Sequence, residues 1–342
     1  MKVLFINPTP LFGGATTATI SVANMLQQNG VEVVYSDEYD HLEKRGELFV
    51  DKYPFHRRKF KSHLETVNHI VDEVKPTHII WTPLIMPYYY FEILKMKRMG
   101  IRQLTVIHSI SLNQNLKGKV VDFLVSRCMT ILDAVVFVSN YTLQSWSNSA
   151  AVYSHHVKKK VIYNAVSFSG EKRLDTNPRR IGFVGRFSIE KQPEIFCSLS
   201  SEHCLHDLEF HAFGDGPLKA RCESQYPKVI YHGNVDDINR IYQDIDILVM
   251  TSKFENCPMV ILEAKTRGIP CVAPRVGGIP EIVINGNDGI LYDSYAPSTI
   301  VNSIEQIVEN YDCFSKHCMN NSTNYSPTAI YANWKHLLNN LE

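Results

Sequence analysis

The segment DILVMTSKFENCPMVILEAKTRGIPCVAPRVGGIPEIV spans residues 246–283 and indicates a strand, a helix and a second strand. The short apolar runs at 246–250 and 270–273 are typical of buried strands. Pro258 fits the first helical position between them, because its ring fixes φ near the helical value. A strand followed by a helix and another strand predicts a parallel sheet covered by helices.

The same alternation extends from this segment in both directions. Further strands are predicted at 180–184, 208–213, 228–232 and 289–292, and, in the first half, at 3–6, 31–35, 78–82, 104–108 and 134–138, with helical patterns at 16–29 and 61–74. The polar, turn-rich stretch NAVSFSGEKRLDTNPRR interrupts the alternation. We therefore predict a doubly wound domain over 1–164, a linker over 165–179, a second doubly wound domain over 180–325 and a terminal helix over 326–342.

Length and charge narrow the function classes. A chain of 342 residues exceeds the size at which one core stops growing, about 250 to 300 residues, so two domains are expected. The 35 basic and 35 acidic residues cancel. A chain with no net charge is not expected to bind nucleic acid.

Cysteine spacing and hydropathy indicate the compartment. The eight cysteines are scattered without a CxxC pair, which is typical of reduced cytosolic thiols. The N-terminus has no signal-peptide pattern, and no run approaches the roughly 18 to 20 apolar residues of a membrane span. We expect a cytoplasmic protein, with peripheral contact at the inner face of the cell membrane left open.

Two carboxylates mark the opening segment as a candidate site. Glu255 lies on the loop before the predicted helix, and Glu263 lies inside it. The free N–H groups at the helix start, near Met259 and Val260, can bind phosphate, and carboxylates accept hydrogen bonds from sugar or ribose hydroxyls. The alternative is that both are solvated surface charges.

Two cations follow an earlier strand. Arg186 comes directly after the strand at 180–184, and Lys191 stands at the start of the next helical pattern. Cations beside a strand end and a helix N-terminus suit a diphosphate leaving group, whose negative charge must be neutralised. The turns FGDGP (213–217) and GGIPE (277–281) provide glycines at later strand ends, where we expect close approach to a ligand.

In this order, the motifs GRF…EK, FGDGP, HGNV, S…EN(x6)EA…G(x)P and GGIPE resemble the retaining glycosyltransferases of the GT-B fold, specifically their fourth family, with its Glu-x7-Glu pair. Similarity is strong from about Ile181 to Val283 and weaker over 1–164. The resemblance implies two Rossmann-like domains facing across a cleft, with the C-terminal helix returning to the N-terminal domain. The N-terminal domain would bind the acceptor and the C-terminal domain the nucleotide-sugar donor.

The resemblance also implies roles for particular residues. Arg186 and Lys191 would hold the donor diphosphate, Glu263 the ribose hydroxyls and Glu255 the sugar hydroxyls. Further binding positions would be Asn256, Cys257, Pro258, Met259 and Val260 along the sugar and phosphates, and Val235 near the base. The chain departs from the family pattern at Asn256 and Gln192, where glycine is usual.

Two residues of the first half join the candidate site. Gly13 and Gly14 precede a helix without forming a GxGxxG fingerprint, so nicotinamide binding has little support, although Gly14 still suits a phosphate or an acceptor hydroxyl. His108 ends the strand at 104–108. The resemblance places a catalytic histidine there beside the donor sugar, and a structural histidine is the alternative.

The implied reaction moves a hexose or N-acetylhexosamine from a nucleotide sugar, with UDP the first expectation, to a saccharide acceptor in surface polysaccharide synthesis, with retention of configuration. No cofactor or metal is expected, because neither an Asp-x-Asp on a loop nor a His/Cys cluster at metal-ligand spacing stands out in the sequence. Two alternatives stay open: a nucleotide-sugar epimerase or hydrolase, and a non-catalytic sugar-nucleotide-binding protein.

A basic cluster suggests a membrane partner. Residues 56–61, HRRKFK, include Arg57, Arg58, Lys59 and Lys61. Related enzymes with lipid-linked acceptors use such residues to contact anionic lipid, and a solvated helix face is the alternative. The run MPYYYF (86–91) is interpreted as aromatic core, with an acceptor groove as the alternative.

Overall fold

The computed structural model describes residues 1–7, 13–37, 51–54, 63–81, 83–111, 116–148, 154–167 and 177–341. The chain forms two compact units: residues 1–165 together with 327–342, and residues 166–326. Most of the predicted linker, 168–176, lies outside the described residues, as does the basic cluster at 56–61.

The first unit is built on seven parallel strands in the order β3-β2-β1-β4-β5-β6-β7. The strands are β1 (Lys2–Ile6), β2 (Glu32–Asp37), β3 (Asp51–Pro54), β4 (His78–Trp81), β5 (Arg102–Ile107), β6 (Ala134–Phe137) and β7 (Lys158–Val161). The helices are α1 (Gly14–Gln28), α2 (His63–Val74), a 3₁₀ helix (Pro83–Tyr89), α3 (Tyr90–Arg98), α4 (Leu116–Met129) and α5 (Asn140–Ser145). All five strands predicted here are confirmed within two residues.

The second unit has six parallel strands in the order β10-β9-β8-β11-β12-β13. They are β8 (Arg180–Val184), β9 (Glu209–Phe213), β10 (Ile230–Gly233), β11 (Ile247–Val249), β12 (Cys271–Pro274) and β13 (Gly289–Tyr292). Its helices are α6 (Pro193–Leu199), α7 (Lys219–Gln225), α8 (Ile238–Gln243), α9 (Met259–Thr266), α10 (Ile279–Ile282), α11 (Pro297–Glu309) and α12 (Tyr311–Ser322), with short 3₁₀ turns at His203–Leu205 and Thr323–Tyr325. Each predicted strand of this half is present, and the doubly wound α/β fold is confirmed.

Central strands are buried along their whole length, as helices on both faces of a parallel sheet require. The central strands β4, β6 and β12 have no exposed residue. In the second unit, the ring of Phe183 contacts those of Phe187 and Phe196, each at a centroid distance of 5.4 Å, and anchors the sheet to α6.

The last helix, α13 (Pro327–Asn339), belongs to the first unit, so the predicted return is confirmed. It packs against α1 and buries Ile330, Trp334, Leu337 and Leu338. The Tyr331 hydroxyl donates to the carbonyl oxygen of Asn29, just past the end of α1, at 3.3 Å.

Candidate functional site

The strand order of the second unit reverses between β8 and β11. The two strands are neighbours, paired at Ile247 and Ile181, although two others lie between them in sequence. Doubly wound sheets bind ligands outside the carboxyl ends of the strands at such a reversal. The loops that leave this edge carry Arg186 and Lys191 after β8, and Glu255 after β11.

The turn after β8 is held by the FGDGP turn after β9. The backbone N–H of Phe187 donates to the Asp215 carbonyl at 2.9 Å. A Cβ atom on Gly214, whose φ is +123°, would lie 2.0 Å from the Gly185 carbonyl oxygen. We expected this glycine to admit a ligand, but the close approach is to the protein's own backbone, which fixes the loop that carries Arg186.

The residue after Lys191 adopts a left-handed conformation. Gln192 has φ of +47° and ψ of +52°, a region that favours glycine. The Thr251 hydroxyl lies 2.9 Å from the carbonyl oxygens of both Lys191 and Gln192, so the start of the β11 loop braces this turn. The conformation gives a physical reason for the glycine that the family pattern has at this position.

Lys191 and Glu255 interact directly. The Lys191 Nζ atom lies 2.5 Å from Oε1 of Glu255, and only 10% of the Glu255 side chain is exposed. A hydrogen bond from Ser188 lowers the pKa of Glu190, and the nearby charges of Arg186 and Lys191 lower it further. The described structure thus brings Arg186, Lys191 and Glu255 to one edge of the sheet.

The GGIPE turn holds the backbone of Glu255. The Gly278 N–H donates to the Glu255 carbonyl at 3.0 Å. Gly277 has φ of +58°, and a Cβ atom there would lie 1.7 Å from the same carbonyl oxygen. A side chain at position 277 would therefore displace the loop that carries Glu255.

Helix α9 begins one residue later than predicted, because Pro258 is its N-cap and Met259 its first residue. The first N–H groups of a helix have no intrahelical acceptor, so those of Met259 and Val260 point out of the helix start. Cys257, Pro258 and Met259 are buried, whereas Asn256 and Val260 are half-buried.

Glu263 lies one and a half turns into α9 and is held by residues that the sequence motifs did not single out. The Tyr242 hydroxyl donates to Oε2 of Glu263 at 2.9 Å. The Arg267 guanidinium donates to the Glu263 carbonyl at 2.9 Å and stacks over the Tyr242 ring at 4.9 Å. Burial, followed by the charge of Glu263, raises the pKa of Tyr242, so the phenol stays protonated as a donor. Arg267 follows Glu263 by four residues, a helical spacing from which their contact could have been predicted. No feature of the sequence around Tyr242 indicated its contact with Glu263.

Val235 lies in the loop after β10 and is half-buried. The neighbouring His232 ring stacks on Phe213 at a centroid distance of 4.1 Å. His232 also shares a 3.0 Å hydrogen bond with His211 on β9. The stack supports the strand ends beside Val235, and the HGNV motif alone did not reveal it.

Two predicted residues lie in the first unit and are described within it. His108 follows β5, and its Nε2 atom is inaccessible to solvent. Burial lowers the pKa of His108 to about 4, so the imidazole is neutral near pH 7. Gly14 is the first residue of α1, and a Cβ atom there would meet none of the described atoms within 4 Å.

Metal ligands, cysteines and apolar helices bear on other kinds of site. Within them, no group of three or more His, Cys, Asp and Glu side chains could hold a metal ion. All eight cysteines are free thiols, and six of them are buried. No helix in the described ranges is both long and apolar enough to span a bilayer.

Comparison with known proteins gives the family. Residues 12–169 match the model described as Glycosyltransferase Family 4, and residues 178–310 match Glycosyl transferases group 1. The chain belongs to the family 4 glycosyltransferases. The two matches together extend over most of both doubly wound units.

Individual relatives of this glycosyltransferase are distant. An uncharacterized glycosyltransferase of Methanocaldococcus jannaschii is 22% identical over 88% of this chain and 86% of its own length. A UDP-Gal:alpha-D-GlcNAc-diphosphoundecaprenol alpha-1,3-galactosyltransferase of Escherichia coli is 27% identical over 51% of this chain and 46% of that protein. The solved structure of Anabaena HepE in complex with UDP and glucose has a TM-score of 0.79 over 99% of both chains at 18% identity. At that identity the likeness shows the two-domain α/β fold of the GT-B glycosyltransferases.

Proposed function

We propose that this glycosyltransferase moves a hexose or an N-acetylhexosamine from a uridine diphosphate sugar to a saccharide acceptor with retention of configuration. The observation that carries the proposal is the placement of Arg186, Lys191 and Glu255 at the edge where the sheet order reverses, beside the start of α9. A diphosphate bound there meets two cations and a helix N-terminus, and the attached sugar meets a carboxylate.

In this mechanism Arg186 and Lys191 stabilise the departing diphosphate. Charge develops on the leaving oxygen as the bond to the sugar breaks, and fixed cations lower the barrier when they are aimed at that charge. The acceptor hydroxyl attacks the same face and passes its proton to the donor phosphate, so no separate general base is required. We propose that the two cations make a divalent metal unnecessary for leaving-group departure.

The donor nucleoside lies along the second unit in this proposal. Glu263 accepts hydrogen bonds from the ribose hydroxyls, and the base lies near Val235. Tyr242 and Arg267 support the proposal because they fix the Glu263 side chain and backbone from the interior. Glu255 accepts from the sugar hydroxyls, and Asn256, Cys257, Pro258 and Met259 line the sugar and phosphates.

The acceptor is proposed to be a lipid-linked saccharide, as in surface polysaccharide synthesis. The Escherichia coli relative is named for a diphosphoundecaprenol-linked acceptor, which supports a similar class here. We propose that Gly14 of the first unit binds a phosphate or an acceptor hydroxyl, and that His108 is a catalytic residue beside the donor sugar. The neutral imidazole of His108 suits a hydrogen bond to a sugar hydroxyl. Membrane contact through Arg57, Arg58, Lys59 and Lys61 remains part of the proposal.

A thermal-shift panel of nucleoside diphosphates and nucleotide sugars tests the donor. A ligand at 100 times its dissociation constant stabilises the native state by about 2.7 kcal/mol. We expect UDP and UDP-sugars to raise the melting temperature and other nucleotides to raise it less. Turnover of a UDP-sugar at full rate without any acceptor would instead support a hydrolase or an epimerase.

A further inference from the structure

The first unit exposes a concentration of large apolar side chains. Of the twelve exposed large hydrophobic residues in the described part of the chain, six lie on α4 and on the segment formed by the Pro83–Tyr89 turn and α3. These two elements pack against each other. The six residues, which we call the α4 surface, are Tyr88, Phe91, Leu116, Val120, Phe123 and Leu124.

The solvent side of α4 has an apolar stripe from Leu116 to Leu124. Leu116, Val120 and Phe123 follow one another at four and three residues and so share one face of the helix, with Leu124 adjoining it. The opposite face, which includes Val125 and Met129, is buried in the core of the unit. A surface helix normally has one apolar stripe, and a helix that is apolar on both sides requires cover on its outer side.

The neighbouring aromatic side chains extend this surface. Tyr88 is 79% exposed and Phe91 77%, and both belong to the MPYYYF run that was predicted to be core. Met86 and Tyr89 of the same run are buried, so the run divides between the core and the surface. Phe123 on α4 is 62% exposed.

Basic residues flank the apolar stripe. Lys117 and Lys119 are exposed on either side of it, and Arg127 continues along it. Asp122 on the same helix accepts a hydrogen bond from Ser111. On α3, Lys95, Lys97 and Arg98 are exposed, whereas Glu92 is buried. The two helices are therefore basic in a chain whose net charge is zero.

We propose that the α4 surface docks on an anionic lipid bilayer. Apolar side chains enter the interface between headgroups and acyl chains, while flanking lysines reach the phosphates. A second copy of the chain would suit the apolar residues but would set lysine and arginine against lysine and arginine. An anionic bilayer satisfies both the apolar stripe and its charge. The surface is separate from the cluster at 56–61, and the inference does not depend on the identity of the donor or the acceptor.

Co-sedimentation with vesicles tests the proposal. The wild type is compared on phosphatidylcholine vesicles and on vesicles with one third phosphatidylglycerol, at low and high salt. Phe123→Ser/Leu124→Ser tests the apolar stripe and Lys117→Gln/Lys119→Gln its charge. The matched control is Ile230→Ser/Ile284→Ser, which removes two exposed apolar side chains of the other unit. The melting temperature of each variant, measured with and without UDP, shows that the fold and the nucleotide site are intact.

We expect the wild type and the control to pellet with the anionic vesicles. The apolar variant should lose binding at least tenfold, and the lysine variant should bind more weakly with a smaller salt dependence. Wild-type protein that pellets with neither vesicle, or an apolar variant that pellets like wild type, overturns the proposal. Two further results would overturn it. One is that vesicle binding is lost only when Arg57, Arg58, Lys59 and Lys61 are replaced by serine. The other is that light scattering shows a dimer for the wild type and a monomer for the apolar variant.

Discussion

Arg186 and Lys191 are the residues with the clearest expected effect on turnover. Replacing either with alanine should lower transfer about 10²- to 10³-fold, a barrier increase of roughly 2.7 to 4 kcal/mol, because a fixed charge on the leaving diphosphate is lost. Stability should change little, since Arg186 is exposed and Lys191 is partly exposed. Steady-state kinetics and melting temperatures measure the two effects. Lys253→Ala, an exposed lysine on the β11 loop, is the matched control, and near-normal turnover of the double variant would contradict the assignment.

Replacing Glu255 and replacing Glu263 should have different effects on the binding of UDP. Glu263→Ala should weaken binding of UDP alone, whereas Glu255→Ala should leave that binding nearly unchanged and lower turnover of the sugar donor. Tyr242→Phe should weaken UDP about tenfold, because a hydrogen bond to a charged group is worth roughly 1.5 kcal/mol or more and the phenol holds Oε2 of Glu263. Titration calorimetry measures the affinity of each variant for UDP. Equal losses for the Glu255 and Glu263 variants would contradict the division of roles.

The imidazole of His108, whose Nε2 atom is inaccessible to solvent, should make stability depend on pH. Its pKa in the folded state is about 4, below the usual histidine value of about 6.5, so the unfolded chain binds the proton more readily between these values. The contribution of neutral His108 is complete above about pH 6.5 and is lost as the pH falls toward 4, by up to about 3 kcal/mol. Melting temperatures from pH 7 to pH 4.5 should therefore decline less for His108→Gln than for the wild type. Parallel curves would show that the imidazole does not carry the effect.

Among the elements, α9 is tied to its neighbours by a buried ion pair. Lys265 lies 2.6 Å from Oδ2 of Asp288 and donates to the carbonyl of Ile282, the last residue of α10. Asp288 also accepts from the backbone N–H of Ile284 and from the Asn321 side chain of α12. The helix that carries Glu263 is thereby fixed to α10 and α12 from inside the unit.

Removing one partner of this pair should lower the free energy of unfolding strongly, whereas removing both charges should lower it much less. Lys265→Met leaves Asp288 buried without its partner, which should lower the free energy of unfolding by about 3 to 5 kcal/mol. Lys265→Met/Asp288→Asn should recover most of that loss, because no buried charge then remains. Urea denaturation of the two variants and the wild type measures both values. If the double variant is as unstable as the single one, the loss in the free energy of unfolding comes from the changed side-chain shape and not from an unpaired buried charge.

The elements differ in how far the sequence predicts them. Central strands such as β1 and β8 were predicted because burial on both faces demands continuous apolar runs. The edge strand β7 was missed because its sequence is KKKV, and an edge strand with lysines toward solvent carries no apolar run. In the site, charged residues at strand ends could be predicted. The brace from Thr251 and the hydrogen bond from Tyr242 could not, since both depend on contacts between distant segments.

For the whole molecule, the second unit should be able to act alone. The hydrogen bonds described around Lys191, Glu255 and Glu263 join residues of that unit, and its buried cluster is its own. We expect a fragment of residues 166–326 to unfold cooperatively and to bind UDP within a few-fold of the full chain. Circular dichroism melting and calorimetry measure this, with the Lys191→Ala fragment as the control. A fragment that does not fold would show that the second unit depends on the first for its stability.

The division of the chain into two units affects the order in which they can fold during synthesis on the ribosome. The first unit contains both the beginning of the chain and its last helix, α13, while the second unit is one continuous stretch between them. Domains generally fold as units during synthesis, with the N-terminal one first. Here that order reverses: the sequence of the second unit is complete while translation continues, but the first must wait for Trp334 and its neighbours to emerge. Until then the side of α1 that receives α13 is uncovered, so a stalled or truncated nascent chain would present a folded second unit joined to an incomplete first unit.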